Sequence, residues 1–400
     1  MRYLLILPVM VVAACSAATA QHGPTEADPH MEVARRVLAT TPLVDGHNDL
    51  PWAIRAHADA PRDVDAYDLR QRAPGHTDID RLREGMVGAQ FWSVYVPADA
   101  VAEGAARVQL EQIDIAHRVI RAYPDVLELA LTADDAVEIF RQGRIASMLG
   151  MEGGHAIENS LGALRAFHDL GVRYMTLTHS SNIDWADACC EAPRHDGLTA
   201  FGHEVIREMN RLGMIVDLSH VAPATMHDVL DTSAAPIIFS HSNARAITDH
   251  PRNVPDDVLR RMPANGGVVM VTFVPSFLND NAMNWWRLPA EERRASSEPP
   301  ATMDDVIRHI EHVRVVAGID HVGIGSDFDG IDTVPVGLED VSTFPALLAE
   351  LSRRGWNEGD LRKLAGENAL RAWRQAETVA RRLQQERPPS TATIEALDGR

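Results

Sequence analysis

Short apolar runs alternate with amphipathic stretches along most of the chain. Eight runs rich in Val, Ile, Met and Phe predict buried strands, at Leu43–Asp49, Ala89–Val96, Ile145–Glu152, Tyr174–His179, Met214–His220, Ile237–His241, Val268–Val274 and His321–Asp327. Apolar residues recur at helical spacing in Ala105–Ala122, Leu161–Leu170, Gly202–Leu212, Ala224–Leu230, Val254–Met262 and Met303–Ala317. Alternating strands and helices predict a parallel sheet, and eight such units favour an α/β fold of the (β/α)8 TIM-barrel class.

An open, doubly wound sheet is the alternative, but no glycine-rich phosphate loop follows the first strand. The glycines of 150–154 have neither dinucleotide nor P-loop spacing. Two segments interrupt the pattern, Asp184–Thr199 after the fourth strand and Phe277–Pro300 after the seventh. Each is either a loop that shapes a substrate cleft or a surface excursion, and the sequence favours neither interpretation.

The ends of the chain differ from this pattern. Residues 1–20 resemble an export signal, with small residues before Gln21 or, alternatively, a lipobox that ends at Cys15. We therefore expect an exported bacterial protein, either periplasmic or anchored to the outer membrane as a lipoprotein. We expect residues 21–40 to form a leader that includes a helix at Met31–Ala39. Residues 41–385 would form the catalytic barrel, which a helix at Leu361–Gln385 closes. The polar residues 386–400 predict a disordered tail.

Composition and charge narrow the function. The chain is 45% hydrophobic and 24% charged, as expected for a folded protein, and its net charge of -19 argues against a nucleic-acid partner. Apart from Cys15, the cysteines are the adjacent Cys189 and Cys190, which predict no disulfide framework and leave their redox state open. Lys363 is the single lysine, so a carboxylated lysine cannot bridge metals within the barrel.

Metal-ligand side chains end several of the predicted strands. They are His47 and Asp49 on the first strand, Glu152 on the third, His179 on the fourth, His220 on the fifth, His241 on the sixth and Asp327 on the eighth. The active site of a (β/α)8 barrel forms at the carboxyl ends of its strands, so we expect these groups to meet. Burying so many ionisable groups is costly unless cations compensate them.

This distribution predicts a two-metal site. One ion would take His47, Asp49 and Glu152, and the other would take Glu152, His220 and His241, because a carboxylate can bridge with its two oxygens. Nitrogen and oxygen ligands without thiolate suit Zn²⁺, with Mn²⁺ or Co²⁺ as substitutes. Two such ions activate a bridging water, which is a hydrolase design.

The same residues lie in motifs that resemble the membrane dipeptidase (renal dipeptidase) family. The motifs are Asp45-Gly46-His47-Asn48-Asp49, Glu152-Gly153-Gly154, Leu177-Thr178-His179-Ser180, Asp217-Leu218-Ser219-His220, Ser240-His241-Ser242, Arg252-Asn253-Val254-Pro255-Asp256 and Gly325-Ser326-Asp327-Phe328-Asp329-Gly330. The resemblance implies a binuclear zinc peptidase on an amidohydrolase-like barrel, with two Zn²⁺ per subunit.

The resemblance also implies the catalytic roles. His179 would stabilise the tetrahedral intermediate, Arg252 would bind the substrate carboxylate, and Glu152 would be the shared ligand in the catalytic centre. Asp327 would move the proton from the attacking water to the leaving amine. The residues alone do not separate Asp327 from Asp329, and the resemblance selects Asp327.

The resulting hypothesis is a dipeptidase that attacks its substrate with a hydroxide bridging two zinc ions and accepts a C-terminal D-residue. A homodimer is a further expectation, and the polar final residues leave an N-terminal lipid as the expected membrane anchor. The rivals are another binuclear amidohydrolase, such as a lactonase or an N-acyl amino acid hydrolase, and a non-catalytic metal-binding lipoprotein.

Overall fold

The computed structural model describes residues 28–399, in which a parallel sheet closes into a barrel. Its strands are β1 (Leu43–Asn48), β2 (Val87–Ser93), β3 (Leu127–Leu129), β4 (Ile145–Glu152), β5 (Val172–Thr176), β6 (Ile215–Asp217), β7 (Ile238–Phe239), β8 (Val268–Val271) and β9 (Val322–Ile324). Strand β1 pairs with β2 and β9, and β2 pairs directly with β4, so eight strands form the ring and β3 adds to β4 from outside it. The predicted (β/α)8 barrel is confirmed.

Helices surround the ring. The first nine are α1 (Pro29–Leu38), α2 (Leu50–Arg55), α3 (Ile79–Glu84), α4 (Ala105–Ala122), α5 (Ala133–Arg141), α6 (Leu161–Asp169), α7 (Ala200–Leu212), α8 (Pro223–Thr232) and α9 (Asp256–Leu259). The others are α10 (Met262–Asn265), α11 (Pro275–Leu278), α12 (Asp280–Trp286), α13 (Ala290–Arg294), α14 (Met303–Ala317), α15 (Phe344–Arg353), α16 (Glu358–Arg362), α17 (Asn368–Glu386) and α18 (Ile394–Asp398). Short 3-10 helices occupy Ala98–Glu103, Gly154–Ile157, Ile319–His321 and Val341–Thr343, and a π-helical turn, Lys363–Glu367, joins α16 to α17. None of the helices in the described part of the chain is long and apolar enough to cross a membrane.

Strand β4 is the longest strand of the barrel and has more than one neighbour on one edge. Its residues Ala146–Gly150 pair with β2 on one side. On the other side, Ile145–Ser147 pair with β3 and Leu149–Glu152 pair with β5. The hydrogen-bonding groups of both edges are therefore satisfied along most of the strand.

Two glycines let the strand ends converge on one point. A Cβ atom on Gly46 would lie 2.5 Å from the carbonyl oxygen of Ser240, and one on Gly325 would lie 1.8 Å from it. Such distances are below any van der Waals contact, so only glycine fits. Because these two side chains are absent, the ends of β1 and β9 lie against the end of β7. His47, Asp327 and His241 are at these three strand ends.

The segment predicted to be a disordered tail contacts the barrel in the structure. Within residues 386–399, helix α18 lies near the amino end of α7. Asp398 accepts the backbone N–H of Phe201, and Arg165 donates to the carbonyl of Ser390. Ile394 is buried. The burial of Ile394 and these polar contacts oppose the entropy cost of ordering the segment.

The two interrupting segments differ in structure. In the first, the carboxylate of Asp187 accepts the backbone N–H groups of Arg194, His195 and Gly197, which ties the loop to itself. The adjacent Cys189 and Cys190 form a disulfide. The second segment contains α12 and α13, which were not predicted. The export-signal prediction for residues 1–20 lies outside the described residues.

Candidate metal centre

His47 and Asp49 meet at the end of β1, although not by the strand geometry that predicted it. Strand β1 ends at Asn48, and Asp49 turns the chain into α2 with φ -93° and ψ 24°. The Oδ2 atom of Asp49 still lies 3.2 Å from Nε2 of His47. The turn therefore brings the imidazole and the carboxylate together, although successive residues of the same parity in an extended strand, such as 47 and 49, would also share a face.

His220, His241 and Asp327 follow strands that end two or three residues earlier than predicted. Strand β6 ends at Asp217, β7 at Phe239 and β9 at Ile324. His220 and Asp327 have φ values of 71° and 70°, in the left-handed region that non-glycine residues rarely adopt. This conformation is typical of functional positions, where the surrounding structure compensates for its cost.

Glu152 lies between the two histidine groups and divides its oxygens between them. Its Oε2 is 3.5 Å from Nε2 of His47. Its Oε1 is 3.1 Å from Nε2 of His220 and 3.4 Å from Nε2 of His241. This is the arrangement that a bridging carboxylate requires, with one oxygen facing each ligand group.

The residues fit a pair of divalent ions. Ligand atoms of His47, Asp49 and Glu152 lie within 4.8 Å of one another, as do those of Glu152, His220 and His241. These are the two predicted ligand sets, and Asp327 forms a further such group with His47 and His241. Within the described residues, Nε2 of His47 and Oδ1 of Asp49 are buried without a hydrogen-bond partner. Metal coordination would satisfy both atoms.

Outer hydrogen bonds fix the orientation of two histidines. Nδ1 of His47 lies 2.8 Å from the hydroxyl of Tyr174, which donates to the carbonyl of Gly46. Since the tyrosine proton is used there, Nδ1 of His47 is the donor, which leaves Nε2 as the atom that would bind a metal. His241 shows the same pattern.

In that second case, Nδ1 of His241 lies 2.8 Å from the hydroxyl of Ser240, which donates to Asp217 over 2.6 Å. The proton of His241 is therefore on Nδ1, and its Nε2 faces Glu152 as a lone pair. Asp217 also accepts the backbone N–H groups of Ser219 and Ser240, so one buried carboxylate shapes the ends of both β6 and β7.

Burial sets the protonation of the cluster. It lowers the pKa of His220 and of His241 well below the usual range, which keeps both imidazoles neutral. Burial alone would raise the pKa of Glu152, but the positive charge of His47 and hydrogen bonds with His220 and His241 outweigh it and hold that pKa well below its usual range. His220, His241 and Glu152 are therefore in the forms that bind metal. His47 differs, because Tyr174, Glu152 and Asp49 outweigh its burial and raise its pKa well above the usual range, so a bound ion would displace a proton from this imidazole.

A cavity of about 290 Å³ opens above these groups, and we call it the metal cavity. Its lining includes the metal-type residues Asp49, Glu152, His220, His241 and Asp327, together with His179, Arg252, Trp52 and Tyr95. Predicted ligands and predicted catalytic residues therefore share one space, at the carboxyl ends of the strands.

The three predicted non-ligand residues occupy different positions in the metal cavity. Nε2 of His179 lies 4.0 Å from Oε1 of Glu152, and burial lowers the pKa of this histidine. Arg252 is buried and donates to Ser242 and to the carbonyl of His241, and burial lowers its pKa to about 10. Burial raises the pKa of Asp327 well above its usual range, and Asp49 and Glu152 add to the effect.

The structure separates Asp327 from Asp329. Strand β9 ends before both residues, so they do not share a strand face. Asp329 points away from the metal cavity and accepts the backbone N–H of His76 over 2.6 Å. Asp327 lines the cavity, with Oδ1 4.0 Å from Nε2 of His47.

Sequence reasoning missed the residues around the ligands. Tyr174 and Asp217 lie within recognised motifs or strands but were not assigned a role, and Trp52 and Tyr95 were not noticed as cavity residues. The available clue was a polar side chain inside a strand that is otherwise buried, because such a group needs a specific partner.

Comparisons with known proteins identify the family of this chain. Residues 31–387 match the family described as membrane dipeptidase, peptidase family M19. The dipeptidase verJ of Clonostachys rogersoniana is 43% identical over 369 residues, which cover 90% of each chain.

Solved structures show the same similarity. A metallo peptidase from Rhodobacter sphaeroides, liganded with a phosphinate mimic of L-Ala-D-Ala, is 30% identical with a TM-score of 0.73, covering 84% of this chain and 99% of that one. An amidohydrolase from Pseudomonas aeruginosa is 26% identical with a TM-score of 0.70, covering 86% and 98%. The chain therefore belongs to the membrane dipeptidase family, peptidase family M19, and is a metallodipeptidase.

Proposed function

We propose that this enzyme hydrolyses dipeptides, including those with a C-terminal D-residue, with two zinc ions in the metal cavity. The observation that carries the proposal is the division of the Glu152 oxygens between His47 on one side and His220 with His241 on the other. The two ions would lower the pKa of a water held between them and polarise the scissile carbonyl. The similar metallo peptidase with its L-Ala-D-Ala mimic supports the stereochemical part.

Each remaining side chain has a separate task. His179, neutral because burial lowers its pKa, would donate a hydrogen bond to the carbonyl oxygen as negative charge develops there. Arg252 would bind the substrate carboxylate with its planar fork, since its Nε is buried without a partner. Asp327 would accept the proton of the attacking water and return it to the leaving amine, a role suited to a carboxyl whose pKa is raised.

A substrate panel tests the reaction. The purified enzyme should hydrolyse L-Ala-L-Ala and L-Ala-D-Ala much faster than N-acetyl-alanine or a simple lactone. The reverse order would identify the rival amidohydrolase activity.

Arg252→Ala should raise the KM for dipeptides by about 100-fold, because a charge-assisted bidentate contact is lost. Arg252→Lys is the matched control, which keeps the charge without the fork and should give an intermediate KM. An unchanged KM in Arg252→Ala would contradict the assigned role.

The metal content is a separate test. Elemental analysis of the purified enzyme should give two zinc ions per chain, and His220→Ala should lower this number and remove nearly all activity. Wild-type turnover in His220→Ala would exclude the ligand assignment.

The cellular location is also a proposal. We propose export, with Cys15 lipidated, on the composition of residues 1–20. Cys15→Ser should move the protein from the membrane fraction to the soluble periplasmic fraction. An unchanged distribution would contradict the lipid anchor.

A further inference from the structure

A second cavity adjoins the metal cavity and is more than twice as large, with a volume of about 680 Å³ against about 290 Å³. We call it the outer cavity. The two cavities share His220, Arg252, Val274, Phe277 and Ile331, so they are continuous. The outer cavity lies between the segment after β5, the excursion after β8 and the loop after β9.

Aromatic rings form a continuous wall that leads outwards from Arg252. The guanidinium carbon of Arg252 lies 5.3 Å from the ring centroid of Phe277. The ring of Phe277 is 4.3 Å from that of His250, which is 5.2 Å from that of Trp286. Trp286 is 44% exposed, so much of its apolar surface faces the solvent-filled space. A ligand that covers this surface would gain hydrophobic free energy.

The disulfide segment contributes a second part of the wall. Cys190 lines the outer cavity, and the backbone N–H of Cys189 donates to the carbonyl of His220 over 2.7 Å. Ala188 forms an antiparallel bridge with Val221. The cysteine pair is therefore held at a fixed distance from a predicted metal ligand, as a rigid and uncharged surface.

The charges of the outer cavity balance. Arg252 and Arg293 are opposed by Glu298 and Asp332. Burial and the nearby arginines lower the pKa of His250 to about 3, so this imidazole is neutral. A charged ligand group would gain nothing from the net charge, and the aromatic wall favours a neutral one.

We propose that the outer cavity receives the side chain of the substrate's C-terminal residue and selects a bulky, neutral, aromatic or apolar one. The inference rests on the proposed dipeptidase function, because Arg252, common to both cavities, binds the carboxylate of that residue. The side chain is attached to the same carbon atom as this carboxylate. It therefore begins next to Arg252 and extends along Phe277 towards Trp286.

Paired substrates of equal composition test the assignment. L-Ala-L-Phe should have a kcat/KM at least tenfold above that of L-Ala-L-Ala. Its isomer L-Phe-L-Ala should lack this advantage, because its ring is on the other residue. Equal values for L-Ala-L-Phe and L-Ala-L-Ala would overturn the proposal.

Variants of Trp286 test whether this residue causes the preference for a bulky C-terminal side chain. Trp286→Ala should reduce the ratio of kcat/KM for L-Ala-L-Phe over L-Ala-L-Ala to near one, and Trp286→Phe should keep most of it. Leu170→Ala is the matched control, since Leu170 is 40% exposed but lies outside both cavities. A ratio unchanged in Trp286→Ala would overturn the proposal. Failure to cleave any dipeptide, L-Ala-L-Ala included, would instead overturn the proposed function itself.

Discussion

At the scale of single residues, the centre depends on side chains that would touch no metal. Tyr174 and the pair Ser240 and Asp217 place the protons of His47 and His241 on Nδ1. Each ring is thereby oriented so that Nε2, rather than Nδ1, is the atom that would bind an ion. The two halves of the centre are set by different chemistry, a phenol on one side and a hydroxyl backed by a carboxylate on the other.

We expect Tyr174→Phe to weaken zinc binding by about 10- to 100-fold, because His47 loses the partner that fixes its ring and tautomer. Competition with a chromophoric chelator measures the affinity. Tyr123→Phe is the matched control, since its buried hydroxyl accepts the N–H of Leu69 over 2.8 Å away from the centre. It should lower the free energy of unfolding by about 1 kcal/mol and leave zinc affinity unchanged. Equal zinc affinity in both variants would contradict the role of Tyr174.

The sequence predicted the members of the centre better than their geometry. The structure brings His47, Asp49, Glu152, His220 and His241 together, as expected for strand ends in a barrel. The left-handed backbone of His220 and Asp327 could not be predicted, because no glycine marks those positions. Hydrogen bonds such as that from His47 to Tyr174 join residues 127 positions apart, and no local pattern reports such a contact.

At the scale of elements, helix α14 holds two loops of the site through one imidazole. His309 is fully buried in α14. Its Nδ1 accepts the backbone N–H of Ala244, in the loop after β7, and its Nε2 donates to the carbonyl of Leu278 in α11. A neutral ring is required, because an imidazolium has no lone pair to accept the first bond.

Acid should therefore loosen this attachment. Burial lowers the pKa of His309 to about 4, against about 6.5 in an unfolded chain. The unfolded state thus binds more protons, so the stability contributed by this residue is complete above pH 6.5 and is lost progressively as the pH falls towards 4. From pH 6.5 to pH 5 the loss is about 2 kcal/mol.

Urea unfolding of the wild type and of His309→Gln at pH 7.5 and pH 5 measures this loss. The variant should be less stable at pH 7.5, but should lose about 2 kcal/mol less than the wild type between the two pH values. The same decrease in both proteins would exclude His309 as a source of acid sensitivity.

The elements with long periodic patterns were predicted accurately, and the short ones were not. Helices α4 and α14 have the predicted bounds. Strand β3, with three residues, is too short for any periodicity, and helix α5 after it was missed although Thr132 and Asp135 form a capping box. The ends of β6 and β7 were predicted too late, because Asp217 accepts the backbone N–H groups of Ser219 and Ser240 that would otherwise continue pairing.

At the scale of the whole molecule, the candidate ligands connect strands that are distant in the chain. They lie at or just beyond the carboxyl ends of β1, β4, β6, β7 and, with Asp327, β9. Bound ions would therefore join most of the barrel ring at one end. Ligands that bind only the folded state stabilise it by mass action.

Chelation should accordingly destabilise the entire barrel. At a free zinc concentration 1,000-fold above Kd, each ion contributes about 4 kcal/mol, so we expect metal removal to lower the Tm by about 10 °C or more. Differential scanning calorimetry with and without chelator measures the change, and two equivalents of zinc should restore the original Tm. Glu152→Gln, which weakens both sites, should respond less to the chelator. An equal response in that variant would contradict the bridging role of Glu152.

One edge of β4 pairs first with β3 and then with β5, and this arrangement has a consequence for association between molecules. Were β3 to detach, the backbone donors and acceptors of Ile145–Ser147 would become an open strand edge, which is a template for pairing with another chain. Strand β3 thus protects the barrel from edge-to-edge aggregation at a point remote from the chemistry. We therefore expect loss of these three residues, too few to be read from the sequence, to favour association of the enzyme through its longest strand.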